Sequence, residues 1–500
     1  MKKLIVVLLL NIVVFTVSAQ APNLFPAYVE KAADHQEING TILIAQQGKV
    51  VYKRSFGYAD IAEKTSLTDD TQFPLASISK TFTSTAVLQL KDAGKINISE
   101  PLVKYLVQFP YPNITIRQVL SHTSGLPDTD ELLDSLVAAT PTKIFTNQDI
   151  IPALQWYSKH KSLKFQPGER WGYSSVGYSL LAMLVEKVSG MPFGNYLQQN
   201  IFLPAGMTGT YLQTSLDQTK GRYRTKNYIY NNHYQMKLQF VDTLADRREW
   251  TYNQTGTYGG NNIVATATDL LKYDEALYNG KLLKPATLQE AFTPVKLNNG
   301  QDNHAIAGTS MGLGWFIFTD TTAGKIVWHS GSNPGVTTLF ARNITTHETY
   351  VVLLNLALSN PVYFDLFSLI KHQPVTYKQP LGFIYARELF KDGPDYAVAH
   401  LQSLKADTTN YILTKADMDR AALEFSRDRK LQDQTLETHR VNLLLFPNDW
   451  QVWDNYAAFM LNRMHNNDAA LMLYKGSLRL SPLNEAAKKM IEQIGLSYRK

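Results

Sequence analysis

Two β-rich stretches, INGTILIAQQGKVVYKRSFGYAD at 38–60 and KIVWHSGSNPGVTTLFARNITTHETYVVLLNLA at 325–357, stand at either end of a long span that reads as mostly helical with long loops. In the first, two apolar-rich runs flank Gln47-Gly48, which is a hairpin signal. In the second, strand runs are broken by Gly and Asn. Strands at both ends of a helical middle predict an α+β fold whose terminal strands share one sheet.

With 500 residues, 44% of them hydrophobic, the chain can bury a large core and hold more than one domain. Its formal charge of +6 is scattered, with no basic run or basic helix face to track a phosphate backbone, which argues against a nucleic-acid partner. From Pro380 onward Gly becomes scarce and helix formers dominate. Within this tail, LFPNDWQVWDNYAAF (445–459) and AALMLYKGSLRLSPLNEAAKKMI (469–491) look like a degenerate tetratricopeptide unit, with Trp453, Ala469 and Tyr474 where a helix pair would interlock. Residues 380–500 are therefore expected to be an all-α, repeat-like domain, able to dock a protein partner.

The N-terminus, MKKLIVVLLLNIVVFTVSAQ, has two lysines, an apolar stretch and Val17-Ser18-Ala19 before Gln20. That order is a signal peptide over 1–19, too short for a comfortable membrane span; the alternative is an uncleaved anchor. The chain has no cysteine, hence no disulfide, no thiolate metal site and no lipid-accepting thiol. The expectation is a periplasmic or secreted protein without a stable membrane anchor.

Three short stretches carry candidate chemistry. In FPLASISKTFTSTAVLQL (73–90), Ser77 and Lys80 are spaced i, i+3 at the start of an amphipathic, partly buried helix marked by Phe82, Ala86 and Leu90. Such residues lie on one face with Cβ atoms roughly 5–6 Å apart, so Lys80 can reach the Ser77 hydroxyl. A serine attacks carbonyls only when a neighbour takes its proton, and a lysine held away from water can do so. Equally, Ser77 or Ser79 can be a plain helix cap. In GERWGYSSVGYSLLAMLVEKVSGM (168–191), Tyr173 sits on a loop just before a buried helix, and a phenol beside cations can serve as general base. In VWHSGSNPGVTTLF (327–340), His329 and Ser330 should face opposite sides of a strand, with Gly331 allowing a substrate close to the strand edge. There the Ser332 N–H could pair with that of Ser77 as an oxyanion hole.

Taken in order, Ser-x-x-Lys, Tyr-Ser-x and a late His-x-Gly reproduce the layout of the penicillin-recognising serine hydrolases. The chain resembles the class C β-lactamase-related family over about residues 24–360, within a domain expected to span 24–375, including VLSHTSGLPD (119–128), GGNNIVATATDLLKYDEALYNGKLL (259–283) and MGLGWFI (311–317). The resemblance implies an antiparallel sheet flanked by a helical subdomain, with Ser77 acylated, Lys80 its proton partner and Tyr173 the general base. It also puts His329 at the third-motif position, the Ser77 and Ser332 amides on the oxyanion, and Ser175, Ser330 and Gly331 against the substrate. No cofactor or metal is implied; the substrate would be a small molecule or peptide, cell-wall derived peptides among them.

Two departures narrow the chemistry. Where class C β-lactamases carry Tyr-x-Asn, Ser175 has no amide to hold a peptide-like acyl group. Where they carry Lys-Thr-Gly, His329 is a mostly neutral and weaker magnet for a carboxylate. Hydrolysis of an ester, amide or D-amino-acid peptide is thus favoured over efficient β-lactamase activity, the competing class being a non-catalytic binding protein. A rival Gly-x-Ser-x-Gly at Gly308–Gly312 would make Ser310 an α/β-hydrolase nucleophile, but it lacks the strand before and helix after that such an elbow needs.

Overall fold

The structure is a computed structural model that describes residues 24–214, 224–306, 308–358 and 360–497. The expected signal peptide, residues 1–19, lies outside the described residues. Helix α1 (Phe25–Asp34) opens with a proline in its first turn and buries Phe25, Tyr28, Val29 and Ala32, the i, i+3, i+4, i+7 stripe of an amphipathic helix. Strands β1 (Gly40–Gln46) and β2 (Lys49–Phe56) form the expected hairpin. Both turn residues, Gln47 at φ 51° and Gly48 at φ 74°, adopt the left-handed conformation of the tight turn that matches strand twist.

The late strands are β3 (Thr309–Met311), β4 (Phe316–Phe318), β5 (Ile326–Asn333), β6 (Val336–Asn343) and β7 (Glu348–Leu354). They join the hairpin in one seven-stranded sheet of order β3-β4-β5-β6-β7-β1-β2, antiparallel throughout. The closing pair runs from Gly40 opposite Leu354 to Gln46 opposite Glu348, so the two ends of the domain share a sheet as the sequence predicts.

Both faces of the sheet are covered, which explains why its central strands lack clean polar alternation. Leu43, Val327, Phe340, Val351 and Leu353 face a helical layer that includes α2 (Ser79–Asp92), α3 (Ser175–Ser189) and α4 (Ala267–Tyr278). Ile42, Ile44, Trp328, Leu339 and Val352 face α1 and α5 (Asn360–Ile370). Each such side chain, removed from water, contributes about 1.5–3 kcal/mol.

Helix α2 departs from expectation. It is buried nearly all round, not on one stripe, because its hydroxyls find distant partners: Thr83 donates to the Gly259 carbonyl (2.6 Å), Ser84 to that of Leu313 (2.6 Å), and Thr85 shares a bond with Tyr273 (2.8 Å). Neither Ser77 nor Ser79 caps it; the residue before its first turn is Ile78, and Ser79 Oγ accepts the Ile263 N–H (3.1 Å).

Among the described residues the tail is helical apart from a two-residue strand, Tyr411–Ile412, that pairs with Gln379–Pro380: α6 (Leu381–Lys391), α7 (Pro394–Leu404), α8 (Lys415–Ser426), α9 (Gln432–Leu445), α10 (Trp450–Asn462), α11 (Asn467–Leu480) and α12 (Glu485–Ser497). Neighbours pack in pairs, α6 with α7, α8 with α9, α10 with α11. Trp453 of α10 lies so close over Gly476 of α11 that a Cβ there would sit 2.3 Å from the indole. The tail docks on a small hairpin (Tyr228–Tyr230 with Leu238–Phe240): Glu424 accepts both the His233 N–H and its Nδ1–H at 2.7 Å, and the His233 ring stacks on Phe383 at 4.0 Å.

Candidate active site

Ser77 lies on a single 3-10 turn, Ala76–Ile78, that leads into α2. The preceding Ala76 is fully buried at φ 47°, a left-handed backbone that costs a non-glycine residue about 1–3 kcal/mol and is held only by its surroundings. The turn projects a half-buried Ser77 hydroxyl, which receives Lys80 Nζ at 3.1 Å and the Tyr173 hydroxyl at 2.9 Å.

Lys80 is fully buried with no carboxylate partner among the described residues. Its Nζ donates to Ser77 Oγ and to the Gly260 carbonyl (2.8 Å), and it lies 4.8 Å from the ring centre of Tyr173 and 5.7 Å from that of Tyr178. A buried cation held by a hydroxyl, a carbonyl and two aromatic faces is costly, and such cost is concentrated at functional sites. Gly260 has to be small: a Cβ there would lie 3.1 Å from the Ser175 carbonyl oxygen and 3.3 Å from Lys80 Nζ.

Tyr173 is aimed by the anchored start of α3. Ser174 caps that helix, its Oγ accepting the Gly177 N–H (3.2 Å) and donating to the Pro127 carbonyl (2.7 Å). Ser175 begins the helix, and its N–H donates to Asp128 Oδ1 (2.7 Å). The Tyr173 ring stacks on His122 at 4.4 Å.

His122 is the functional residue that sequence reasoning missed. Of 11 histidines the sequence singles out only His329, and SHTSG reads merely as framework. His122 is buried at φ 56°, and its Nδ1 accepts the Ser174 N–H (3.2 Å), so Nε2 carries the proton. Burial, then the nearby Lys80 charge and His329, hold its pKa well below the ordinary histidine value. A histidine between two apolar runs, followed by Thr-Ser-Gly, was the available signal.

The structure puts His329 on β5 with its ring 1% exposed. Nδ1–H donates to the Ser330 carbonyl (2.7 Å), and Nε2 has no hydrogen-bond partner among the described residues. Burial first, and then Lys80, push its pKa down to about 3, against a smaller opposing effect of the Ser330 carbonyl. The imidazole is therefore neutral and enclosed. Ser330 points to the opposite face, where Tyr363 of α5 donates to its Oγ (2.8 Å), as strand alternation requires.

Gly331 meets a different neighbour from the one expected. A Cβ there would lie 2.4 Å from the Leu75 carbonyl oxygen and 2.8 Å from the Ser77 nitrogen, so glycine admits the Ser77 turn itself. Ser332 comes next. Strand β4 pairs with β5 only at Val327 and Trp328, leaving the edge from His329 to Asn333 unpaired by any strand among the described residues. Asn333 Nδ2 reaches Asn261 Oδ1 (3.3 Å), tying this strand end to the Gly259-Gly260 loop.

Ser310 is 1% exposed on β3, a strand paired with β4. No strand-turn-helix surrounds it, so it is not an elbow nucleophile. Among the described residues one carboxylate trio, Asp130, Asp134 and Glu249, could take a cation; none of the three belongs to the Ser77 cluster. No described helix is long and apolar enough to cross a membrane.

Known proteins resemble this chain in sequence and fold. The family described as Beta-lactamase matches residues 25–373. Penicillin-binding protein 4* of Bacillus subtilis is 35% identical over 328 residues, 65% of this chain and 70% of the relative. The crystal structure of a penicillin-binding protein from Bacillus halodurans superposes with TM-score 0.58 at 28% identity, covering 68% of this chain and 98% of that one. D-amino acid amidase of Ochrobactrum anthropi SV3, at 21% identity and TM-score 0.54, covering 68% and 94%, shares the fold. The chain belongs to the beta-lactamase family.

Proposed function

We propose that the protein is an exported serine hydrolase acting through an acyl-enzyme on an ester, amide or D-amino-acid peptide bond. The observation that carries this reading is the convergence of Lys80 Nζ and the Tyr173 hydroxyl on Ser77 Oγ, at 3.1 and 2.9 Å. With Lys80 stabilising its phenolate, Tyr173 takes the Ser77 proton as Oγ bonds to the substrate carbonyl carbon. The Ser77 and Ser332 amides hold the oxyanion. Collapse of the tetrahedral species expels the leaving group, which receives the proton from Tyr173 and leaves the acyl group on Ser77. Water then gives its proton to Tyr173, attacks the ester, and Ser77 recovers a proton as the acid departs.

Ser175 and Gly331 would flank the acyl chain, and Ser330 would support the strand through Tyr363. His329, neutral and enclosed, offers no charge to a β-lactam carboxylate, which supports an activity other than efficient β-lactam hydrolysis. Residues 24–375 form the catalytic domain in this reading, the leader 1–19 is removed on export, and residues 380–500 form a tetratricopeptide-like domain. The second reading is a binding protein with a decayed site, favoured by Ser175 in place of an amide-bearing residue.

Incubating the pure protein with a fluorophosphonate and with a labelled penicillin, then mapping adducts by mass spectrometry, separates the two. A Ser77 adduct that disappears in Ser77→Ala supports the hydrolase. No adduct from either probe supports the binding protein.

A further inference from the structure

A cleft of about 1540 Å³ opens at Ser332, Asn333, Pro334 and Gly335, next along the strand from Gly331 where it abuts Ser77. Its far wall belongs to the tail, helices α8 to α10, and its side to the 229–250 segment. Small-molecule sites hold roughly 300–1,000 Å³, so this one suits an elongated ligand.

The charges on that wall are unevenly committed. Arg420 is held by Glu424 (2.8 Å), Asp419 by Lys415 (2.8 Å) and Asn442 (2.8 Å), and the buried Asp417 by Thr414 (2.6 Å). Arg427 and Arg463 also line the cleft and are exposed, and among the described residues neither guanidinium makes an ion pair or hydrogen bond. At Ser77 the situation is the reverse: Lys80 is fully buried and His329 is enclosed and neutral, so neither offers an open cation to a substrate anion. The exposed amides of Asn455 and Asn462 flank the arginines on the same wall and suit peptide groups.

We infer that the tail completes the acyl site: Arg427 and Arg463 bind the carboxylate of an extended, peptide-like substrate whose scissile carbonyl lies at Ser77. This rests on the hydrolase reading. Guanidinium forks pair with carboxylates in a fixed geometry, and a charge-assisted bond of this kind favours binding by roughly tenfold or more. The anion is thereby recognised several residues from the reacting bond, and a chain too short to span the cleft gains nothing from it.

Achiral thioesters test this on the full-length protein. One probe, succinyl-Gly-Gly thiobenzyl ester, carries its carboxylate on the acyl side; the other, the acetyl-Gly-Gly thioester of mercaptoacetyl-Gly-Gly, carries it on the leaving side. Each is compared with the version in which that carboxylate is an amide. The expected result is a KM roughly tenfold lower for one carboxylate probe than for its amide. That difference should vanish in R427A/R463A and persist in R440A, a change at a surface arginine outside the cleft. A preference that survives the double substitution, or no preference in the native protein, overturns the inference and leaves the hydrolase reading standing. Turnover that persists in Ser77→Ala, or no turnover of any probe, overturns the hydrolase reading and this inference with it.

Discussion

Gly331 and Ser77 meet backbone to backbone: the Cβ that any other residue would carry at 331 lies 2.8 Å from the Ser77 nitrogen and 2.4 Å from the Leu75 carbonyl oxygen. The strand edge and the Ser77 turn are thus held at a separation only glycine permits, with Ser332 one residue further on.

Gly331→Ala should push β5 from the turn. Loss of one aligned oxyanion donor slows acylation by roughly 10²–10³-fold, and overpacking costs about 1–3 kcal/mol of stability. Stopped-flow acylation and urea denaturation read the two effects. Wild-type acylation in the variant would show that the contact does not set the site.

Tyr173→Phe keeps the ring on His122 and removes only the hydroxyl. Fluorophosphonate labelling of Ser77 should slow by roughly 10²–10⁴-fold with an unchanged melting temperature. Lys80→Met should slow labelling comparably and raise the melting temperature, because it replaces a buried cation that has no carboxylate partner. An unchanged labelling rate in either variant contradicts the assigned roles.

His122 and His329 give a pH signature. Both are buried and neutral, with His329 pushed to about 3 and His122 pushed well below the ordinary 6.5. The unfolded chain takes up protons as pH falls below 6.5 while the folded one refuses them, so stability present above that pH is lost below it. The slope is about 1.4 kcal/mol per pH unit for each histidine. Urea midpoints between pH 7 and 5 should fall less steeply in H122Q and H329Q. Curves parallel to wild type would mean the histidines do not control this slope.

Glu424, 2% exposed at the ion pair, joins the tail to the hairpin segment around His233 through that residue's main chain and ring, and pairs with Arg420 of its own helix. Burial raises its pKa, but the bonds from His233 and Arg420 outweigh that and hold it below the ordinary glutamate value. Its contribution is therefore present at neutral pH and lost as acid protonates it. Glu424→Gln should cost about 1–3 kcal/mol and speed hydrogen exchange in Leu381–Lys391 and Lys415–Ser426. Unchanged exchange there would exclude Glu424 as the docking contact.

The hairpin and the Ser77–Lys80 pair are legible in the sequence because their signals are local, a Gln-Gly turn and an i, i+3 spacing, whereas Tyr173 joins that pair only through the order of the three motifs and the family resemblance. What is not legible depends on contacts between distant segments. Lys80 is anchored by Gly260, 180 residues away, and Gly331 is shaped by Leu75 and Ser77. His122 gains its place from Ser174 and Tyr173, and α2 looks amphipathic only until Gly259 and Leu313 supply partners for its hydroxyls.

The most direct measurement is time-resolved mass spectrometry of the full-length protein during turnover of acetyl-Gly-Gly thiobenzyl ester. An adduct equal in mass to the acetyl-Gly-Gly acyl group should form and decay on the peptide holding Ser77, and accumulate to lower levels in Tyr173→Phe. An adduct on Ser310, or product release with no acylated Ser77 at any time, would contradict it.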